Sequence, residues 1–346
     1  MHSCCFSLGI QRNSWNSELR VNALIASSFR ELTMSSTRSC KWWNEETVAV
    51  VTGASKGIGF DVCRQFASVG LHVILTARDA EKGLKAAGVL KNEGFQNISF
   101  HQLDVTDERS CAALASWIFQ EQGAIDVLVN NAAINGLLID EAYVEKNNLK
   151  FQDLMNEEHN SKAFIIEYES AKACIDTNYY GTKYVTQALL PLLRFAAHGA
   201  RIVNVGSSFG QLNNLSSCKL QQELSDLSNL SEAFIDEVLS VYLNDVKQIS
   251  WEGKGWPQKF PSYKMSKIAL HAYTRLLAMQ MEKRNLLGMK VFVNCVHPGF
   301  VRTDLSSGRG NLSAHEGAEN VVLLALLPPE DCPSGQFFFE KKLGVF

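Results

Sequence analysis

Residues Thr47 to Thr52 read TVAVVT, a short and almost wholly apolar run, and the chain passes from it directly into TGASKGIG, residues 52–59. An unbroken apolar run of this length suits a strand buried on both faces, as in a parallel sheet covered by helices. A helical pattern follows from Ile58 to Val69. A glycine-rich turn between strand and helix lets backbone N–H groups and the helix N-terminus approach a pyrophosphate. Gly53 and Gly57 supply the tight turn, Gly59 allows the helix to pack close on the strand, and Ser55, Lys56 and Ile58 complete the loop. A lone glycine motif is weak evidence; its place between strand and helix gives it weight.

The alternation continues. Strands are predicted at His72–Thr76, Ile98–Leu103, Ile125–Val129, Arg201–Val205 and Lys290–Val296, with helices at Glu81–Glu93 and Glu108–Glu121. This order predicts an α/β fold with a Rossmann-like, doubly wound parallel sheet, in one domain from about Asn44 to the C-terminus. Two stretches break the rhythm, Ile134–Ala171 and Phe209–Pro261. In the second, Phe234, Ile235, Val238, Leu239, Tyr242 and Leu243 recur at helical spacing. They define an amphipathic helix that must pack on its own domain or on a partner.

Composition narrows the function classes. The formal net charge is −3, without the basic stripe of a nucleic-acid binder. No apolar run reaches the length of a membrane span. The 9 cysteines include no C-x-x-C pair, which suits reduced thiols in a cytoplasmic compartment. No histidine clustering points to a metal. The first 40 residues are rich in Ser and Arg and carry only Glu18 and Glu31 as acids. They read either as a transit peptide for a plastid or other organelle or as a disordered extension with the working start at Met34.

Further motifs carry chemistry. The second strand ends Leu75-Thr76-Ala77-Arg78. Ala77 stands where an NAD-binding chain would place an acid for the ribose hydroxyls, and it cannot accept their hydrogen bonds. Arg78 can fork onto a 2′-phosphate, with Lys56 as a second positive charge. These residues point to NADPH. Tyr263-Lys264-Met265-Ser266-Lys267 opens a helical stretch and puts Tyr263 and Lys267 on one face. An ordinary tyrosine titrates near pH 10. A neighbouring ammonium, joined by the charge of an oxidised nicotinamide, is expected to lower that and make Tyr263 a general acid.

In its TGxxxGxG loop, and in the order of the motifs that follow, the chain resembles the short-chain dehydrogenase/reductase family from about Asn44 onward. The resemblance implies an adenine contact at Asp104-Val105. It aligns Asn130-Asn131-Ala132-Ala133 with the family's NNAG segment, so that Asn131 and Ala132 border the cofactor and Ala133 replaces a glycine. In RIVNVGSSFG it aligns Ser207 with the serine that binds the substrate carbonyl, Gly206 replacing the first serine of the pattern and Ser208 remaining the alternative. Asn178 matches a helix asparagine that holds Lys267 through water. His297-Pro298-Gly299-Phe300-Val301-Arg302-Thr303 matches the segment lining the nicotinamide, with Pro298, Gly299, Val301 and Thr303 at the cofactor and His297 structural.

Ser207 and Tyr263 stand 56 positions apart, far more than the family's usual spacing. This insert, with that at Ile134–Ala171, resembles the subgroup of carbonyl reductases and plant menthone/neomenthol and salutaridine reductases. It implies NADPH-dependent reduction of a small-molecule ketone or aldehyde, with no nucleic-acid or membrane partner, by a monomer in which the helix around Phe234 to Leu243 fills the apolar face beside the Tyr263 helix that otherwise pairs. A catalytically idle NADPH-binding regulator, and an alcohol dehydrogenase working in oxidation, are the other readings.

Overall fold

The computed structural model describes residues 41–149, 163–285, 290–339 and 341–346. Residues 1–40, and with them both readings of that segment, lie outside these, as does part of the stretch Ile134–Ala171.

The strand predicted at Thr47–Thr52 is β1 (Val48–Val51), and all four side chains are buried. Val48 and Val50 face one apolar cluster and Ala49 and Val51 the other. That alternation explains why the run has no polar position. Around β1 lie β2 (His72–Ala77), β3 (Ile98–Gln102), β4 (Val127–Asn130), β7 (Ala200–Val205), β8 (Val291–His297), β9 (Phe337–Phe339) and β10 (Lys342–Leu343), in the order β10-β9-β8-β7-β4-β1-β2-β3. All pairings are parallel except β9–β10. The strand expected from Ile125 starts at Val127. Asp126 turns its carboxylate onto the Val48 N–H (2.8 Å) and Arg194 (2.9 Å), and Ile125 forms an isolated bridge to Leu193. The sheet's last two strands have no counterpart in the sequence reading, because three consecutive phenylalanines carry no period.

One face of the sheet is covered by α1 (Gly57–Ser68), α2 (Ala80–Asn92) and, from near the C-terminus, α10 (Ala314–Leu326). The other carries α3 (Glu108–Glu121), α5 (Tyr168–Ile175), α6 (Gly181–Leu189), α8 (Glu232–Lys247) and α9 (Pro261–Asn285). The first insert adds α4 (Glu141–Lys146) and a small antiparallel pair, β5 (Leu138–Ile139) and β6 (Phe164–Ile165). The second adds α7 (Cys218–Ser225) before α8.

The amphipathic helix of the second insert is α8, and its seat is its own domain. The Ser231 side chain caps it by accepting from the Phe234 N–H. Ile235, Val238, Leu239, Tyr242 and Val246 are buried against α5 and α9. Polar contacts fix the register. Asp236 accepts from Tyr179 and Lys183 (both 2.8 Å), and Asp245 accepts from the indole of Trp256 (2.9 Å). Tyr242 bonds Ser262 (2.9 Å), the neighbour of Tyr263. Burial of each large apolar side chain contributes about 2 kcal/mol, so the insert is part of the core.

Trp43 is buried, and Trp42 stacks on the guanidinium of the buried Arg201, 4.1 Å from the ring centroid. Both tryptophans are therefore part of the core. A chain starting at Met34 is expected to melt and turn over like the full chain, whereas one starting at Glu45 loses about 3 kcal/mol or more. Thermal melts of the two truncations check this; a large loss from the Met34 start overturns it.

Candidate active site

The glycine loop leaves β1 and enters α1, and its glycines have steric reasons. Gly53 (φ +63°) and Gly57 (φ +60°) are left-handed. A Cβ on Gly53 would lie 2.8 Å from Ala132 Cα, and one on Gly59 would lie 2.5 Å from the Asn131 side chain. Asn131 donates to the carbonyls of Thr52 (2.9 Å) and Gly53 (3.1 Å), while Thr52 Oγ1 accepts from the N–H groups of Asn131 (2.9 Å) and Ala132 (3.0 Å). Asn131 and Ala132 thus brace the loop. Ala133 in place of glycine costs nothing visible, since its φ is not positive. The N-terminus of α1 has no side-chain cap and no acid in its first turn, so its N–H groups remain for an anion.

Ala77 is buried and Arg78 is exposed, its carbonyl held by Gln102 (2.9 Å). Asp104 Oδ1 accepts from the Thr106 N–H (3.0 Å) and hydroxyl (2.7 Å), and Val105 backs onto Gly181. Lys56 departs from the expectation of a free second charge. It forms an exposed ion pair with Asp304, which ties the glycine loop to the segment after β8. In that segment Pro298 is held through its carbonyl by Asn320 (3.1 Å), and Gly299 is left-handed (φ +92°). The Val301 carbonyl accepts from Ser306 (2.7 Å), and Thr303 caps a short 3-10 turn. Thr303 Cγ2 would be 3.3 Å from a Cβ on Gly57, so the loop and the Pro298–Thr303 segment lie against each other. His297 packs on Phe339, with ring centroids 4.9 Å apart, a structural placement.

Ser207 follows the end of β7 in extended backbone, and its Oγ accepts from the Phe209 N–H (3.2 Å) and stands near enough to the Tyr263 phenol to favour its ionised form. This geometry favours Ser207 over Ser208. Tyr263 and Lys267 occupy the first turns of α9. Lys267 Nζ is 5.7 Å from the Tyr263 ring centroid and donates to the Val205 carbonyl (2.8 Å). Burial lowers Lys267 to about 8. Tyr263 is governed mainly by its burial. Burial pushes the Tyr263 phenol above its usual value, Ser207 only partly opposing it. Loss of hydration outweighs an ammonium at that distance.

Asn178 is buried. It sits in a π-helical turn, Asp176–Tyr180, between α5 and α6, an irregularity common at functional sites. Its amide donates to the Ile134 carbonyl (2.8 Å) and Ser266 Oγ (2.9 Å) and accepts from the Ile134 N–H (2.8 Å). Ser266 in turn donates to the Tyr263 carbonyl (2.8 Å). Asn178 therefore acts directly on Ile134 and on the first turn of α9. Sequence reasoning misses Ser266 because the middle of YxxxK carries no pattern of its own.

Beside Tyr263 stands an aromatic series. Phe209 meets Tyr263 edge-on (6.2 Å), stacks on Phe260 (5.7 Å), and Phe260 meets Phe164 (5.4 Å). Phe260 is left-handed (φ +52°), strained for a bulky residue before proline. The ring packing on both sides holds it there. Both inserts thus reach the tyrosine. Among the described residues no group of three or more His, Cys, Asp or Glu side chains could hold a metal ion, and no helix is long and apolar enough to cross a membrane.

Residues 47–218 match the short chain dehydrogenase family. The chain is 42% identical to (+)-neomenthol dehydrogenase of Arabidopsis thaliana over 311 residues, 87% of this chain and 99% of that one. It is 35% identical to carbonyl reductase [NADPH] 1 of Mus musculus over 302 residues, 86% of this chain and 97% of that one. The solved structure of salutaridine reductase from Papaver somniferum superposes with a TM-score of 0.75 at 41% identity, covering 85% of this chain and 99% of that one. Menthone neomenthol reductase from Mentha piperita gives 0.70 at 38%, covering 85% and 98%. By this match and these relatives, the chain belongs to the short-chain dehydrogenase family.

Proposed function

We propose that this chain reduces a ketone or aldehyde to the alcohol with NADPH. The observation that carries the reading is the gathering of Ser207, Tyr263 and Lys267 between the end of β7 and the first turns of α9. The chain is an oxidoreductase, and its cofactor is NADP(H). Residues 44–346 form a single reductase domain. Gly53, Ser55, Gly57, Ile58 and Gly59 hold the pyrophosphate, Arg78 and Lys56 the 2′-phosphate, Asp104 and Val105 the adenine. Asn131, Ala132, Pro298, Gly299, Val301 and Thr303 border the ribose and nicotinamide, with Lys267 at the ribose.

When bound, NADPH supplies the hydride. Ser207 donates a hydrogen bond to the substrate carbonyl oxygen and fixes its orientation. Tyr263 gives that oxygen its proton as charge develops on it. Burial keeps Tyr263 protonated in the free enzyme, the form a reductase needs. The aromatic series Phe209, Phe260 and Phe164 offers an apolar wall to the organic part of the substrate. A non-catalytic NADPH-binding protein would have no use for this set. Assay of menthone, cyclohexanone, benzaldehyde and menadione by NADPH absorbance tests the reading; no turnover of any of them would count against it.

NADPH is expected over NADH by about tenfold to a hundredfold in kcat/KM, the worth of charge-assisted hydrogen bonds to one phosphate. Arg78→Asp should narrow or reverse that ratio. Equal wild-type kcat/KM for the two cofactors would refute the assignment of Arg78.

The chain is a monomer in this reading, because α8 covers the face of α9 that would otherwise be free to pair. Light scattering at micromolar concentration should give one chain mass, 38.4 kDa. A stable dimer joined through α9 would overturn it. The cytosol is the matching compartment, or the plastid if residues 1–40 are a transit peptide: Cys63, Cys111, Cys174, Cys218, Cys295 and Cys332 are unpaired.

A further inference from the structure

His271 lies one turn beyond Lys267 on α9 and is fully buried, directly beneath the turn that carries Ser207. The Ser207 N–H donates to its Nε2 (3.4 Å). The two glycines flanking the turn leave it room. A Cβ on Gly206 would stand 2.5 Å from Nε2 and 2.3 Å from Cys295 Sγ, and one on Gly210 would stand 2.5 Å from Nε2. Gly206 is where the family pattern has a serine, so the departure and the buried ring explain each other. On its far side the ring packs on Phe337 (4.6 Å) and Phe346 (5.6 Å), and Val345 holds the turn through Gln211 (2.9 Å). Nδ1 is buried without a partner. A ring kept only for its bulk would cost less as an apolar one, since an unsatisfied buried polar atom is expensive.

We propose that His271 is a positioning residue for Ser207: its imidazole, wedged under the Gly206–Gly210 turn, accepts the Ser207 N–H and fixes where the Ser207 hydroxyl stands. This rests on the reading of Ser207 as the group that binds the carbonyl. The Ser207 Oγ is then held from two sides, by its own backbone on His271 and by the Phe209 N–H, and its proton is left for Tyr263 or substrate. Only the tautomer protonated at Nδ1 can accept at Nε2. Burial, with Lys267 and His297 nearby, lowers the ring to about 3 and keeps it in neutral form.

The test uses the full chain with His271→Leu, His271→Gln, Ser207→Ala and the double variant that combines His271→Leu with Ser207→Ala. The probe is whichever of menthone, cyclohexanone, benzaldehyde and menadione the wild type reduces fastest. His271→Leu should lower kcat about tenfold or more, the scale of a small misplacement of a reacting group, with the Kd for NADPH within about twofold. His271→Gln, which can present an oxygen where Nε2 stood, should recover to within about threefold. In the Ser207→Ala background His271→Leu should lower the residual rate less than about twofold, because the path of its effect is gone. Equal damage by the two His271 substitutions, or a full additive loss in that background, would overturn the proposal. If His271→Leu fails to fold, Gly210→Ala takes its place, its methyl driving against Nε2, with the same losses expected. Amide exchange of residues 206–211 without substrate should rise about tenfold in His271→Leu and stay near wild type in His271→Gln. That readout judges His271 even if the wild type reduces none of the four carbonyls, an outcome that would sink the proposed function instead.

Discussion

Tyr263→Phe is expected to lower kcat by about three orders of magnitude on any carbonyl the enzyme accepts, with NADPH binding within about twofold. The substitution removes one oxygen and keeps the ring, so the edge-on contact with Phe209 and the packing of α9 survive. What goes is the proton that neutralises the developing alkoxide. Burial raises the phenol, so the tyrosine is protonated in the free enzyme across the neutral range. Reduction should therefore run well at neutral pH. Alcohol oxidation, which needs the phenolate, should improve as pH rises. Stopped-flow turnover, with fluorescence titration of NADPH, checks the variant. A rate within about tenfold of wild type would mean that another group delivers the proton.

The parts of this molecule that sequence makes plain are those where one physical demand excludes most residues. A strand buried on both faces admits only apolar side chains, so TVAVVT announces β1. A left-handed turn against Ala132 admits only glycine, so Gly53 is legible. The pair Tyr263 and Lys267 is legible through helical spacing. The long amphipathic pattern from Phe234 to Leu243 gives a helix, and its seat beside the Tyr263 helix follows from the resemblance rather than from the periodicity, which describes one surface and not the surface it meets. His271 and Ser266 are illegible for a related reason. Each works through an atom pair distant in the chain, His271 with the turn after β7 and Ser266 with Asn178, and no local pattern records such a pair. Charge misleads twice. Arg78 and Lys56 look alike in sequence, yet Lys56 meets Asp304, which lies far along the chain. The net shift of Tyr263 cannot be judged from the proximity of Lys267 alone, because burial pushes the phenol the other way.

Lys267→Met is expected to abolish useful turnover while stabilising the free enzyme at neutral pH. The lysine is buried, donates only to the Val205 carbonyl, and is lowered to about 8 by burial. An unfolded lysine titrates near 10.4, so holding the charge in the folded state costs about 3 kcal/mol at pH 7. Removing the donor leaves the Val205 carbonyl unpaired and costs about 1–2 kcal/mol. The net gain at pH 7 is therefore about 1–2 kcal/mol. The sign with pH follows from the protons bound. Between about pH 8 and 10.4 the unfolded chain holds the proton that the folded one has released, so wild-type stability rises with pH across this window. The methionine variant lacks that rise, and above it the wild type should be the more stable of the two. Activity moves the other way. With Lys267 proposed at the ribose, its loss should lower kcat about a hundredfold or more and weaken the Kd for NADPH. Urea melts at pH 7 and pH 10.5, set beside turnover at pH 7, decide the matter. A variant that is much less stable than wild type at pH 7 would show that Lys267 holds the end of β7 in place rather than straining it.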